Sequence, residues 1–280
     1  MTTTTAAYVA RGTGLSFGGL LRSEWIKLTT LRSTVWCYAI ILIINLGIAL
    51  LAAASIRPQA DHSAALDESF WVQSATVGIT FSQLVIAVLG SLVITGEYGT
   101  GMIRSTLTAA PRRLPALLAK AVVFGLTTFA IALVSIIGTA LIAAPILAGH
   151  GLDLNLADGH AWGALIGGAG YLALVGLIAL FLGTILRNSA AGISAALGLI
   201  FVVPIILQIF GAMTRAAWVR NVLEFLPSSS GAIMYRYQTT PAPIIPGVVV
   251  LDAGQGLLVL VAWVALFAVI SGMLLKRRDV

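Results

Sequence analysis

Six long stretches of the chain carry no Asp, Glu, Lys or Arg: residues 33–56, 69–96, 121–152, 159–186, 188–214 and 253–275. A helix rises ~1.5 Å per residue, so ~20 apolar residues cross a ~30 Å hydrocarbon core. Each stretch is long enough for one crossing, and none shows the ~10-residue alternation of barrel strands. Trimmed for turns and interfaces, they predict transmembrane helices at 34–55, 75–96, 118–143, 163–186, 190–211 and 253–275. The expected fold is an all-α membrane protein of six spans, one domain over 15–280 after a disordered tail at 1–14. Ala52-Ala53-Ala54-Ser55 resembles a cleavage site, but the apolar run before it exceeds the ~7–15 residues of a signal core, so the first span is read as uncleaved. Arg187-Asn188-Ser189 alone separates the fourth and fifth spans and predicts a very tight turn. Pro204 inside the fifth span frees a backbone carbonyl and predicts a kink.

Three segments outside the spans are patterned. In residues 15–31, Phe17, Leu20, Leu21, Trp25, Leu28 and Leu31 share one helical face, with Arg22, Lys27 and Thr30 elsewhere. This predicts an amphipathic helix lying in a membrane interface. Glu24 breaks the pattern, because ~100° per residue aims it into the apolar arc. Either it reaches headgroups or Lys27, or it contacts another element on the same side. Residues 97–117 form a loop opening on Glu97-Tyr98-Gly99-Thr100-Gly101, whose glycines permit positive φ, with a short helix expected from Met102 to Thr108. Residues 212–252 mix Trp218, Phe225, Tyr235 and Tyr237 with Arg215, Arg220, Glu224 and Arg236. They are too polar to span and too aromatic for a free loop, which predicts interfacial or re-entrant helices before the last span.

Composition narrows the class. Hydrophobic residues make up 59% of the 280 and charged ones 9%, against roughly 25% charge in a soluble domain. A soluble globule and a disordered chain are both excluded. One cysteine, Cys37, excludes a disulfide scaffold. With both termini on one side, that side holds 12 of the 16 basic residues, so the positive-inside rule makes both termini cytoplasmic. The net charge of +6 then reports orientation and contact with anionic lipid, not nucleic acid.

Candidate chemistry is sparse. No charge sits at the centre of a span, which argues against a proton- or sodium-coupled carrier and a voltage sensor. Asn45, Gln83 and Gln208 are the midspan polar groups; they bond between helices or, with Pro204, line a pathway or gate. His150, Asp153, Asp158 and His160 match no zinc-protease spacing, and no metal site is expected. A GxSxG elbow and the phosphate-cradling GxxxxGKS/T are both absent, so this chain is expected to bind no cofactor and hydrolyse no ATP itself. Gly163 and Gly167 form a GxxxG that favours close helix packing.

Three pieces carry a family resemblance: Ser23-Glu24-Trp25-Ile26-Lys27 before the first span, Thr95 to Leu107 after the second, and Leu226-Pro227-Ser228-Ser229-Ser230-Gly231. The second fits T-G-E-Y-x-x-G-x-I-R-x-T-L. With the span layout, the chain resembles the permease subunit of ABC-2-type ABC exporters of the bacterial cytoplasmic membrane. The resemblance implies two permease copies or paralogues with two ABC ATPase subunits that carry ATP and Mg. It implies that the loop after span two is the coupling helix, with Glu97, Tyr98, Gly99, Thr100, Met102, Ile103 and Arg104 as contacts and Glu24 beside them. It also implies that the outer segment makes two short re-entrant helices. Gly99 departs from the family, where a bulky polar residue is common. The apolar spans favour a hydrophobic or amphipathic cargo. The alternative is a self-contained channel or carrier that needs no ATPase.

Overall fold

The computed structural model describes residues 16–57, 63–102, 113–240 and 246–277. Among them every regular element is a helix, and six helical stretches are long and apolar enough to cross a membrane. Helix α1 (Phe17–Thr30) starts at Ser16, whose hydroxyl accepts from the Gly19 N–H, and ends at the extended residue Leu31. Helix α2 (Arg32–Ser55) follows at once. The second span is broken into α3 (Ala64–Thr76) and α4 (Ile79–Gly99). Then come α5 (Arg113–Gly149) and α6 (Gly159–Leu186). The fifth span is α7 (Ser189–Leu197), a π turn (Gly198–Val202) and α8 (Val203–Thr214). Short α9 (Ala217–Glu224) and α10 (Pro227–Met234) precede α11 (Ala253–Arg277).

Two spans outrun their predicted bounds by five residues or more. The second span begins at Ala64 rather than 75, and the third runs over Arg113–Gly149 rather than 118–143. Asp67 sits in the first turn of α3, where a negative charge suits the helix N-terminus. Asp67 and Glu68 are not loop residues but buried anchors, accepting backbone N–H groups of Asp153 and Asn155. The ladder thins between α3 and α4, where Thr80 N reaches Val77 O at 3.4 Å. There Gly78 lies against Asn45 with no room for a side chain.

The tight turn forms, and at Pro204 the helix departs from regular α geometry. Arg187 takes a left-handed conformation (φ 53°), and the Asn188 side chain caps α7 by accepting from Ala191 N at 3.0 Å. Pro204 has no N–H, and its ring would clash with the carbonyl four residues back. The helix accommodates it with the π turn just before, which widens the ladder.

Helix α6 is the centre of the bundle: 72% of its span window is buried, against 17% for the fifth and sixth spans. A helix apolar on every side belongs inside. Glycines let its neighbours approach. A methyl on Gly90 would collide with the Gly176 carbonyl, and one on Gly183 would lie 2.8 Å from Ile94 and 3.1 Å from the Ser91 carbonyl. Of the GxxxG pair, Gly167 packs against the Met234 carbonyl, whereas Gly163 faces open space.

This seam fixes an expected outcome. Gly90→Ala pushes α4 from α6 and should cost about 1–3 kcal/mol. Gly138→Ala, with nothing within 4 Å of the added carbon, should be neutral or gain up to about 1 kcal/mol. Thermal unfolding of both variants in detergent separates them; equal melting points would show that the seam is not tight.

Candidate functional site

Four charged side chains meet at the end of the bundle where α1 lies. Glu24 and Lys27 come from one face of α1, Glu97 from the last turn of α4, and Lys120 from the second turn of α5. Lys120 Nζ donates to Glu24 Oε2 at 2.5 Å and to Glu97 Oε1 at 2.9 Å. Lys27 Nζ donates to Glu24 Oε1 at 2.8 Å and to Glu97 Oε1 at 3.0 Å. Each ammonium thus bridges both carboxylates, and the two charges of each sign cancel. Glu24, Glu97 and Lys120 are 6%, 4% and 5% exposed. Burial at this level is tolerable only because the charges are paired and hydrogen-bonded.

The electrostatics follow from that geometry. Burial alone would raise the Glu24 carboxyl, but the Lys120 and Lys27 ammonium groups outweigh it and hold it below its ordinary value. Burial would lower the Lys27 ammonium, but Glu24 and Glu97 outweigh it and hold it above its ordinary value. Voids of about 10 and 20 Å³ flank the cluster, room for about one water each and no ligand. The arrangement is therefore a brace tying α1, α4 and α5 together, not a binding pocket.

Glu24 settles into this cluster, not among headgroups. The apolar arc of α1 is split: Glu24 and Leu28 face the bundle, whereas Phe17, Trp25 and Leu31 remain exposed. Lys120 lies at the start of the third predicted span, and no motif marks it. A lone lysine set among apolar neighbours (Leu117, Leu118, Ala119, Ala121) was the available signal.

Beyond Glu97 the chain turns outward. Tyr98 is half-buried beneath the Arg187 guanidinium, 5.4 Å from its ring centroid. Gly99, Thr100, Gly101 and Met102 are exposed. Thr100 caps α4 through its hydroxyl to the Gly96 carbonyl at 2.9 Å, and Gly101 supplies the positive φ (73°) that ends the helix. Ile103 and Arg104 lie outside the described residues, as does most of the expected short helix.

The midspan polar groups divide. Asn45 is fully buried, donating to Ser135 Oγ at 2.9 Å and accepting from Ser82 Oγ at 2.9 Å. Gln83 accepts from the Tyr171 hydroxyl. These two hold helices together. Pro204 is buried beside the π turn, while Gln208 is exposed on α8. The structure does not gather these four into one site.

Two outcomes test the brace. Lys120→Met leaves two buried carboxylates facing only Lys27 and should destabilise the fold by about 3–5 kcal/mol; a loss under 1 kcal/mol in denaturant titration would show the cluster is solvated. The pH dependence has a defined window. Glu24, with its value depressed, contributes above its unfolded value of 4.5 and loses that contribution as pH falls through the folded value. Lys27, with its value raised, contributes below 10.5 and loses it as pH rises through the folded value. The stability difference between wild type and Glu24→Gln should therefore stay flat from about pH 5 to about pH 10 and shrink outside it. A difference that drifts across that window in thermal melts would contradict this.

The comparisons with known proteins bear on the whole arrangement. No curated protein matches the chain. The model of a family described as ABC-2 family transporter protein matches residues 20–205, which takes in most of α1, the brace and the first four spans, and runs to Ile205 in the fifth. Six spans and that match across more than half the chain together make this protein a multi-pass membrane component belonging to the ABC-2 transporter family.

Proposed function

We propose that the chain is the permease subunit of an ABC exporter, driven by ATP and Mg on two copies of a separate ATPase subunit. A second permease copy or paralogue completes the pathway. The observation that carries this reading is the buried brace lying directly beneath the exposed strip Gly99–Met102. A partner that moves this strip pulls on Glu97, and the brace passes the displacement to α1 and α5 together. In this reading Gly99, Thr100, Met102, Ile103 and Arg104 form the surface the ATPase touches. Glu24 and Glu97 act from behind it as positioning residues, and Tyr98 with Arg187 stiffens its root.

The same orientation puts the brace end in the cytoplasm of a bacterial cell, with both termini. It matches the basic bias: Arg22, Lys27, Arg32, Arg113, Lys120, Arg187, Lys276 and Arg277 lie toward that end. The opposite end carries α9 and α10, read as re-entrant helices capping the pathway. The outward faces of α8 and α11, with Gln208 among them, are left for the second copy. The low polarity of the spans favours a hydrophobic or amphipathic cargo. The motion is an externally biased two-state rearrangement, in which nucleotide binding favours one packing of the spans.

The test uses the assembled complex with its co-purifying ATPase in proteoliposomes. Glu24→Gln and Glu97→Gln, compared at equal amounts of folded complex, should keep ATP hydrolysis and lose transport per ATP. The expected loss of coupling is about 1.5–3 kcal/mol for one charge-assisted contact. Wild-type ratios in both variants would reduce the brace to a packing feature. Transport by the purified chain alone would replace this reading with a self-contained carrier.

A further inference from the structure

A groove of about 580 Å³ runs between α1, α2 and α5, and none of the four brace residues lines it. Its walls are Trp25 and Leu28 from α1, Val35 and Leu42 from α2, and Leu126 and Ile131 from α5. The volume falls within the ~300–1,000 Å³ of small-molecule sites. Its depth is set by the helices: Leu42 lies ten residues into α2, or about 15 Å, half of a ~30 Å hydrocarbon core. The groove thus reaches from the α1 level to about the bilayer midplane.

Three of the four hydroxyls along it, all but that of Thr34, are engaged within the protein. Tyr38 Oη bonds Thr128 Oγ1 at 2.8 Å, Thr29 Oγ1 donates to the Trp25 carbonyl at 3.0 Å, and Thr127 Oγ1 to the Val123 carbonyl at 2.8 Å. A polar solute would exchange water for walls with little to bond, whereas a hydrocarbon chain loses nothing there.

The rim is cationic. Arg22 lies three and seven residues before Trp25 and Thr29, so it continues their stripe on α1. Arg32 stands in the same relation to Val35 and Ala39 on α2. Both arginines are exposed. The one carboxylate on α1, Glu24, is turned into the brace, and α2 carries none. Nothing acidic on these two helices offsets the rim.

We propose that this groove holds one anionic phospholipid from the leaflet at the α1 end, with an acyl chain along Val35, Leu42, Leu126 and Ile131 and the phosphate facing Arg22 and Arg32. The site requires only that the chain spans a bilayer and does not depend on the ATP-coupling reading.

Native mass spectrometry of the full chain in detergent tests this, with equimolar phosphatidylglycerol and phosphatidylcholine of identical acyl chains. The wild type should retain one phosphatidylglycerol per chain in preference to phosphatidylcholine. Arg22→Gln with Arg32→Gln should erase about twenty-fivefold of that preference, roughly fivefold from each cation at an anionic headgroup, while total lipid retention stays. Ala39→Trp, which fills the groove, should lose retention of both lipids at an unchanged melting point. Equal retention of the two lipids by the wild type would overturn the proposal, and so would an unaltered preference in the double arginine variant. If Ala39→Trp shifts oligomeric mass and leaves lipid binding intact, the groove is a contact between copies and the proposal fails.

Discussion

The bundle depends on how closely α4 and α6 approach. Inside a bilayer, helices gain nothing by hiding apolar surface from one another, since lipid is equally apolar; packing and hydrogen bonds must hold them. Gly90 and Gly176 let the two backbones touch, and Ser91 Oγ then reaches the Ala179 carbonyl at 3.3 Å. With α6 held centrally, its other sides recruit the rest. Phe124 of α5 lies over Gly176, Gly231 of α10 fits against the Tyr171 ring, and the Met234 carbonyl sits over Gly167. The two spans that contribute least to this core, the fifth and sixth, keep most of their surface outward.

Polarity is graded along the spans in a way that follows from desolvation cost. Full charges are confined to the ends: the four-member brace at one and Asp67 and Glu68 at the other. Between those ends lie neutral groups, such as Asn45 with Ser82 and Ser135, Tyr38 with Thr128, and the Trp71 indole on the Ala140 carbonyl at 2.8 Å. A charge at mid-bilayer costs several kcal/mol, whereas an amide or hydroxyl with a partner costs far less. The brace resolves its own cost by alternating signs, so that each ion has two opposite neighbours.

Much of this was legible from residue order. Six spans follow from where charges are missing, and the Arg187 turn and the Pro204 distortion follow from local chemistry. Helix ends were less legible: Asp67 and Glu68 look like loop residues until the backbone of Asp153 and Asn155 arrives to bond them. The brace was half visible. Glu24 stood out as a carboxylate in an apolar arc, but its partner Lys120 lies 96 residues away and Glu97 a further case at 70 from Lys27. Such pairings leave no periodic trace. Glycines divide the same way: Gly101 takes the turn that its neighbour Gly99 was equally suited to, and Gly163 of the GxxxG pair meets nothing within 4 Å.

The length of α5 has a mechanical consequence. Its Arg113–Gly149 span is 37 residues, about 55 Å as a continuous helix, well beyond a ~30 Å core. It is pinned at Lys120 to the brace, and its far stretch carries the Asn45–Ser135 and Trp71–Ala140 contacts. A stiff rod held near one end is a lever. Pro145 lies 25 residues from Lys120, roughly 38 Å along the axis. A tilt of about 5° at the brace therefore swings that end sideways by roughly 3 Å, comparable to a hydrogen-bond length. A small tilt at the brace is thus carried along α5 as a displacement of ångströms at the opposite end of the bundle.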